Sequence, residues 1–215
     1  MLVPPRLCLF PVGQCPQRNK LGRRPAVNDH IRAKERYRKH RLHTRELLEE
    51  AALHEFRTRV DVGCIDEDIL RRAQRDWYDN PLRKCHWDWD EAIMGPLHRS
   101  GSRWLDLAIL VKGQLCGLVA ARLSPSKRWL SLTHIEASPD PEHPLKGAIL
   151  PLAVQALYIY RGVIHPTGDA QKTGIRILNP LDEALPCYRS HGYTLQPSSK
   201  WLKAIVLEAP KGGQP

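Results

Sequence analysis

The fold is decided by residues 104–137, which read WLDLAILVKGQLCGLVAARLSPSKRWLSLTHIEA. Two apolar runs flank a glycine-containing turn at residues 112–114, and this pattern predicts a β-hairpin. The Ser-Pro-Ser turn at residues 124–126 leads into a third β-type run at residues 129–137. The stretch therefore predicts three antiparallel strands in succession.

The chain beyond residue 137 continues with alternating patterns. A proline-rich loop, a buried helix without a polar face, a short parallel strand, a second helix closed by Gly192 and a terminal hairpin follow one another. In that order they span residues 138–147, 148–162, 174–180, 181–192 and 193–208. We therefore expect an α/β (α+β) fold, with a mixed, mostly antiparallel central sheet flanked by helices.

Helical patterns dominate the chain before residue 104. Residues 28–59 contain neither Gly nor Pro and predict a helix, or two in line. Residues 31–43 are polar nearly all round and are expected to project, whereas the following turns carry an apolar stripe that can dock on a core. That stripe consists of Leu48, Ala52 and Phe56. Asp66 is expected to cap a further short helix.

Charge is distributed unevenly along the chain. The net charge is +10 at pH 7, and residues 1–59 carry +8 of it. The patterns divide the chain into a flexible Pro/Arg-rich segment, a basic helical arm, a folded domain and a flexible tail, at residues 1–27, 28–59, 60–208 and 209–215. We expect the arm to hold RNA or another polyanion, the alternative being a solvated extension. The candidate nucleic-acid-binding residues are Arg32, Lys34, Arg36, Arg38, Lys39 and Arg41.

Composition excludes several classes of protein. No apolar run approaches the ~18–20 residues that span a bilayer, so no membrane partner is expected. The six cysteines lack the paired spacing of a zinc site, and no metal is expected. The N-terminus lacks the progression of a signal peptide, which favours a cytoplasmic protein with reduced thiols.

Four local sequences resemble the GNAT superfamily of acetyl-CoA-dependent N-acetyltransferases, over about residues 60–208. The clearest is Ala184-x-x-x-Tyr188-x-x-x-Gly192-Tyr193, which resembles the pattern on the family's last helix. Gly117 resembles the small residue that opens the third strand. Residues 135–139 resemble the end of the fourth strand, which in the family splays from the fifth and admits the pantetheine arm. The loop ending at residues 146–148 resembles the pyrophosphate-binding loop.

The resemblance implies acetyl-CoA as the cofactor and helix-start N–H groups as phosphate ligands. The loop departs from the family pattern at Pro144 and Ile149, and Lys146 or His143 could supply the positive charge that Pro144 replaces. The implied cofactor-binding residues are Ile135, Ala137, Lys146, Gly147, Ala148 and Asn179.

The implied reaction transfers an acetyl group directly to a primary amine. In the family the tyrosine protonates the departing thiolate, which makes Tyr188 the expected general acid. His134 and Glu136 lie on one face of the predicted strand at residues 129–137, and both are candidates for the base, directly or through water. A solvent-facing role is the alternative for Glu136. The early helices shape the acceptor side in the family. The expected acceptor-binding residues there are Trp87, Asp88, Trp89 and Asp90.

The acceptor and the assembly stay open at this stage. Acidic groups between tryptophans suit a polyamine, an aminoglycoside-like compound or a protein amine, although tryptophans more often pack in a core. The basic arm instead suits an acceptor carried on RNA, such as charged tRNA, which some members of the resembled superfamily acetylate. A GNAT-shaped binding module that has lost the cofactor, and holds nucleic acid or a protein partner through the arm, is the alternative function. A homodimer is one alternative for the oligomeric state.

Overall fold

The computed structural model describes residues 27–85, 87–93, 103–165, 173–190, 194–199 and 202–207. Predictions made for residues 1–26, for residues 191–193 with the closing glycine, and for the tail at residues 209–215 lie outside the described residues.

The described residues form the helices and strands that the sequence patterns predict, with one addition. The helices are α1 (Val27–Phe56), α2 (Glu67–Trp77), α3 (Ile149–Ile164) and α4 (Leu185–Ser190), which follows a 3-10 turn at Asp182–Ala184. The strands are β1 (Asp61–Gly63), β2 (Trp104–Val111), β3 (Gln114–Leu123), β4 (Trp129–Ala137), β5 (Gly174–Leu178), β6 (Thr194–Ser199) and β7 (Leu202–Leu207). Residues 89–93 are also helical. The short strand β1 was not predicted, because three residues carry no readable periodicity.

The strands form one sheet in the order β1-β2-β3-β4-β5-β7-β6. Neighbouring strands are antiparallel except β4 and β5, which pair in parallel and are connected through α3. A parallel pair requires such a crossover, whereas antiparallel neighbours need only a turn. The predicted fold class, a mixed and mostly antiparallel sheet flanked by helices, is confirmed.

Each face of the sheet has its own apolar cluster. Helices α1 and α3 cover one face, where Leu48 and Ala52 pack with core residues of α3 and the strands. Helix α2 and residues 89–93 cover the other face, where Trp77, Trp89 and Ile93 are buried. Asp66 caps α2 as predicted, because its carboxylate accepts a hydrogen bond from the Ile69 N–H at 2.9 Å. Among the described helices, none combines the length and apolar character that a bilayer-spanning helix requires.

Helix α1 contacts the domain from Tyr37 onward, which corrects the prediction that residues 31–43 project, while residues 31–36 are exposed apart from the half-buried Ala33. Tyr37 and Thr44 are buried against the body of the domain. The Asp106 carboxylate on β2 lies 3.3 Å from Arg45 Nη2 and 3.8 Å from Arg41 Nε, and it also accepts the Ile65 N–H at 2.9 Å. The charge is tolerated at this depth because it is paired and hydrogen-bonded. A carboxylate of the same chain therefore holds part of the arm.

Candidate active site

Strand β4 changes its pairing at Thr133. On the β5 side the parallel register runs from Trp129 to Leu132 and ends there. On the β3 side the register shifts so that consecutive β3 residues face Leu132 and His134. Thr133 is therefore the extra residue of a β-bulge, which bends the strand. Beyond it, residues 133–137 are separated from β5.

The bulge also decides which way the following side chains point. Side chains alternate along a strand, so a one-residue insertion moves the later ones to the opposite face. Leu132 packs in the cluster under α3, whereas His134 contacts Trp87 and Trp89 on the other face. Glu136 also reaches Trp89. Sequence alternation correctly predicted that His134 and Glu136 share a face.

The backbone of the separated half of β4 faces a gap in the sheet. The Ser138 N–H donates to the Cys116 carbonyl at 2.8 Å. Hydrogen-bonded and non-hydrogen-bonded pairs alternate along an antiparallel ladder, so the N–H groups of Ile135 and Ala137 point away from β3. They point toward the side from which β5 has diverged. These are two of the predicted cofactor-binding positions.

A narrow cleft of about 90 Å³ opens at this place. Thr133 and Ile135 of β4 form one wall, and Asn179 and Tyr188 form the other. Asn179 follows β5 in the left-handed region at φ +46°, and the Tyr188 side chain from α4 is 5% exposed. The structure therefore brings the predicted acid to the predicted cofactor strand. Tyr193 of the same motif lies outside the described residues.

Trp87 completes the cleft from the segment before β2. Its indole lines the cleft and meets the His134 ring edge-on, with the ring centroids 4.8 Å apart. Its Nε1 is buried without a hydrogen-bond partner among the described residues. A buried donor without a partner is costly, so this N–H is available to an acceptor atom in the cleft.

Glu136 is not free to act as a base, which corrects both expectations for it. Its carboxylate is 2% exposed and receives hydrogen bonds from Arg83 Nε at 2.6 Å, Arg83 Nη2 at 3.1 Å and Trp89 Nε1 at 2.6 Å. The bond to Glu136 is the main cause that raises the pKa of the Arg83 guanidinium. A carboxylate with three charge-assisted or indole donors is a structural anchor.

Arg83 links this anchor to the cleft wall. Its Nη2 also donates to the Trp87 carbonyl at 2.8 Å, and its guanidinium lies over the Tyr78 ring at 4.4 Å. Sequence reasoning missed Arg83, because its partner lies 53 positions away and no local pattern connects them. The pair fixes the segment that carries Trp87 against β4.

The four predicted acceptor residues divide by environment. Trp89 is 1% exposed and its indole N–H donates to the Glu136 carboxylate, so it packs in the core and does not line the cleft. Asp88 caps the helical residues 89–93 by accepting the Glu91 N–H at 3.0 Å. Asp90 is exposed. Of the four, the cleft is lined by Trp87.

His134 is the remaining candidate base, and its hydrogen bonds fix its tautomer. The Thr133 hydroxyl donates its single proton to the Ala120 carbonyl at 2.9 Å. His134 Nδ1, 3.0 Å from the same oxygen, must then be the donor, which leaves the lone pair on Nε2. Burial lowers the pKa of the imidazole and favours the neutral form.

The loop before α3 keeps an open approach to its backbone. Gly147 has φ +79° with open space where a side chain would begin. Ala148, at the N-cap, provides no side-chain hydrogen bond to the first turn of α3. Ile149 packs on Gly117, where a β-carbon would lie 2.7 Å from its Cδ1, so its bulk points into the core and leaves the loop clear. Lys146 is exposed.

His143 does not supply the positive charge expected of it. The side chain is buried, and burial lowers its pKa, which disfavours the cationic form. Lys146 stays the charged candidate in this loop.

The predicted nucleic-acid residues lie on α1, away from the cleft. Five of them are exposed: Arg32, Lys34, Arg36, Arg38 and Lys39. Arg41 instead lies against Asp106, half-buried. Across the described residues, no cluster of three or more His, Cys, Asp or Glu side chains could hold a metal ion.

The sequence matches no family model and no curated protein sequence. Similar solved structures include PaiA N-acetyltransferase from Thermoplasma acidophilum in complex with coenzyme A, at 11% identity over 70% of this chain and 99% of that one, with a TM-score of 0.46. A GNAT family acetyltransferase from Brucella melitensis in complex with acetyl-CoA has 17% identity over 72% and 93%, with a TM-score of 0.42. The N-acetyltransferase PseH from Campylobacter jejuni has 10% identity over 69% and 97%, with a TM-score of 0.44.

At these identities and TM-scores the likeness concerns the fold alone. The chain's own strand order and its parallel crossover between β4 and β5 agree with the fold that the resemblance to the GNAT superfamily implies.

Proposed function

We propose that this protein is an N-acetyltransferase that moves the acetyl group of acetyl-CoA directly to a primary amine. The observation that carries the proposal is the separation of β4 from β5 at the Thr133 bulge, which leaves backbone N–H groups facing a cleft that Tyr188 lines. Acetyl-CoA, when bound, supplies a thioester whose carbonyl carbon accepts the amine.

The chain offers fitting partners for such a ligand. The N–H groups of Ile135 and Ala137 can hydrogen-bond a ligand that enters where β5 has diverged, as an extra strand would. The Trp87 Nε1, buried without a partner among the described residues, can donate to a ligand carbonyl. The open backbone at Gly147 and the start of α3 suit phosphates, with Lys146 adding charge.

Two side chains are suited to the proton transfers. The Tyr188 hydroxyl serves as the general acid for the departing sulfur. His134 is neutral near pH 7 because burial lowers its pKa, and its Nε2 accepts the proton of the amine through water. Water is required because Thr133 and Trp87, rather than His134 itself, line the cleft. Backbone N–H groups polarise the reacting carbonyl.

Two glycines provide a matched test of the loop. Gly147 and Gly113 both have φ +79° and open space around the missing side chain. Gly147→Glu and Gly113→Glu therefore introduce the same backbone strain and the same charge. We expect calorimetry to show acetyl-CoA binding to the wild type and to Gly113→Glu, and its loss in Gly147→Glu, because a carboxylate there repels the phosphates.

Thermal unfolding gives a second readout of the same binding. Acetyl-CoA at ~100 times its dissociation constant adds ~2.7 kcal/mol to the stability of a protein that binds it only when folded. Equal acetyl-CoA affinity in a folded Gly147→Glu variant would remove the loop from the site. No binding by the wild type would reject the enzyme and leave the cofactor-free binding module as the better description.

A further inference from the structure

The structure sorts the cations of α1 into two groups. Arg41 and Arg45 turn inward to Asp106. Arg32, Arg36 and Lys39 are exposed, and their spacing of four and then three residues places them on one stripe of the helix. Successive members lie roughly 4.5–6 Å apart along the axis, from the rise of ~1.5 Å per residue.

The turn between β3 and β4 adds two further cations beside this stripe. Lys127 and Arg128 are exposed at its tip. The turn is fixed to neighbouring elements, because the Lys127 carbonyl accepts the Thr173 hydroxyl at 2.5 Å and that hydroxyl also bonds His165 at the end of α3. Helix α1 packs along α3, which brings stripe and turn to the same end of the sheet.

The pKa of His40 indicates that the stripe on α1 and the turn between β3 and β4 lie close together. Burial is the main cause that lowers the pKa of this imidazole, and the charges of Arg36, Lys127 and His43 lower it further. A cation on α1 and a cation on the turn therefore act on one ring. We call Arg32, Arg36, Lys39, Lys127 and Arg128 the basic face.

Few carboxylates oppose the basic face. The sequence has no Asp or Glu in residues 107–135, which include the turn, nor in residues 143–168, which include all of α3. On α1, Asp29 is exposed one turn before Arg32, whereas Glu35 is paired with Arg38 at 2.8 Å and Glu46 lies 3.4 Å from His43. The cations of the basic face are therefore available to an external polyanion.

We propose that the basic face binds the phosphate backbone of RNA. The exposed apolar side chains beside the stripe, Ile31 and Leu42, are separated on the helix surface by the charged Glu35 and Arg38, whereas a membrane-surface helix places a continuous apolar face beside its cations. From Tyr37 onward helix α1 is also docked along its inner side, so it cannot lie in a DNA major groove over its whole length as a free recognition helix would. A broad basic surface suits backbone and shape recognition, which is how RNA duplexes are bound.

The basic face is separate from the cleft. Trp129, next to the turn, and Ile135, in the cleft wall, are six residues apart on β4, a distance of roughly 20 Å at ~3.3 Å per residue. RNA held at the basic face is therefore bound independently of acetyl-CoA, and only a distant part of the same RNA can reach the cleft.

Paired charge reversals on the intact chain test this surface. Lys39→Glu with Lys127→Glu alters the basic face, and Arg71→Glu with Lys112→Glu changes the net charge equally at exposed positions elsewhere. Lys127 and Lys112 are closely matched, since both lie in hairpin turns at φ +56° and +49°. The probe is a fluorescent RNA hairpin titrated by anisotropy between about 50 and 200 mM salt, a range that resolves phosphate contacts.

We expect the first pair to weaken RNA binding at least tenfold. The slope of the logarithm of the binding constant against the logarithm of the salt concentration should fall in magnitude by about two, one for each lost phosphate contact. The control pair should stay within twofold of the wild type. Equal weakening by both pairs would overturn the proposal, as would absence of RNA binding by the folded wild type. Tighter binding to duplex DNA, or to vesicles of phosphatidylserine and phosphatidylcholine, with loss in the first pair, would assign the basic face to that partner instead.

Discussion

The two halves of strand β4 are built for different purposes. Residues 129–132 are paired on both sides, to β3 and to β5, and Leu130 is fully buried. Residues 133–137 pair with β3 only, and side chains hold this half where a neighbouring strand is missing. Backbone pairing provides stability in the first half. In the second half, the missing pairing with β5 leaves a cleft.

The largest expected effect comes from Tyr188, on the far wall of the cleft. Tyr188→Phe removes one hydroxyl with little change in volume and should lower kcat by ~10²–10⁴, as for loss of a positioned acid. Acetyl-CoA affinity should stay nearly unchanged, because the ring still packs in the same place. Steady-state kinetics with a free-thiol assay would measure this, with calorimetry as the control. If Tyr188→Phe kept the kcat of the wild type, Tyr188 would be a packing residue, and the cleft beside the second half of β4 would lose its proposed acid.

The next effect concerns what holds the unpaired half. Arg83→Met leaves the Glu136 carboxylate buried without its ion-pair partner, and we expect the free energy of unfolding to fall by ~3–5 kcal/mol. Urea unfolding followed by tryptophan fluorescence would measure it. Arg83→Met combined with Glu136→Gln removes both charges, so the double variant should recover part of the loss.

That double variant separates an ion pair from general packing damage. If it is as unstable as the two single variants added together, the residues do not act as a pair, and the anchoring of this half must be attributed to contacts other than the ion pair.

The smallest expected effect is a pH dependence of stability in the same half. His134 has a pKa that burial lowers from 6.5, so below about pH 6.5 the unfolded chain takes up a proton that the folded protein excludes. Stability should therefore fall as the pH decreases through this value and continue to fall until the folded imidazole itself is protonated.

Unfolding measured between about pH 5 and 7.5 would show a shallower slope in His134→Gln, by no more than the uptake of one proton. Some slope should remain, because burial also lowers the pKa of His40 and His143. An unchanged slope in His134→Gln would mean that His134 is as well solvated in the fold as in the unfolded chain.

Much of the fold could be predicted because its signals are local. The turns at residues 112–114 and 124–126 and the apolar runs beside them predicted β2, β3 and β4, and the run at residues 148–162 predicted α3. The docking of the second half of α1 was predicted from its apolar stripe, and Leu48 and Ala52 are in the core. The inward turn of Arg41 and Arg45 could not be predicted in the same way, because it depends on Asp106, a carboxylate 61 positions away from Arg45.

The candidate site likewise contains residues that could be predicted from the sequence and residues that could not. The resemblance to the GNAT superfamily implied Tyr188, Ile135 and Ala137 as site residues, and the structure brings all three to one cleft or its edge. The base role of Glu136 was wrong, because Arg83 and Trp89 occupy its carboxylate. The residues next to a side chain in the sequence do not predict how deeply it is buried or which groups it contacts in the fold.

The sequence by itself determined the order of elements and the crossover between β4 and β5. These follow from short-range periodicity and turn chemistry. Only the tertiary structure decided that Thr133 forms a bulge, that Glu136 is an anchor and that Arg41 turns inward. Each of those outcomes depends on groups that meet only when distant segments pack, since a buried charge takes whatever partner the fold supplies.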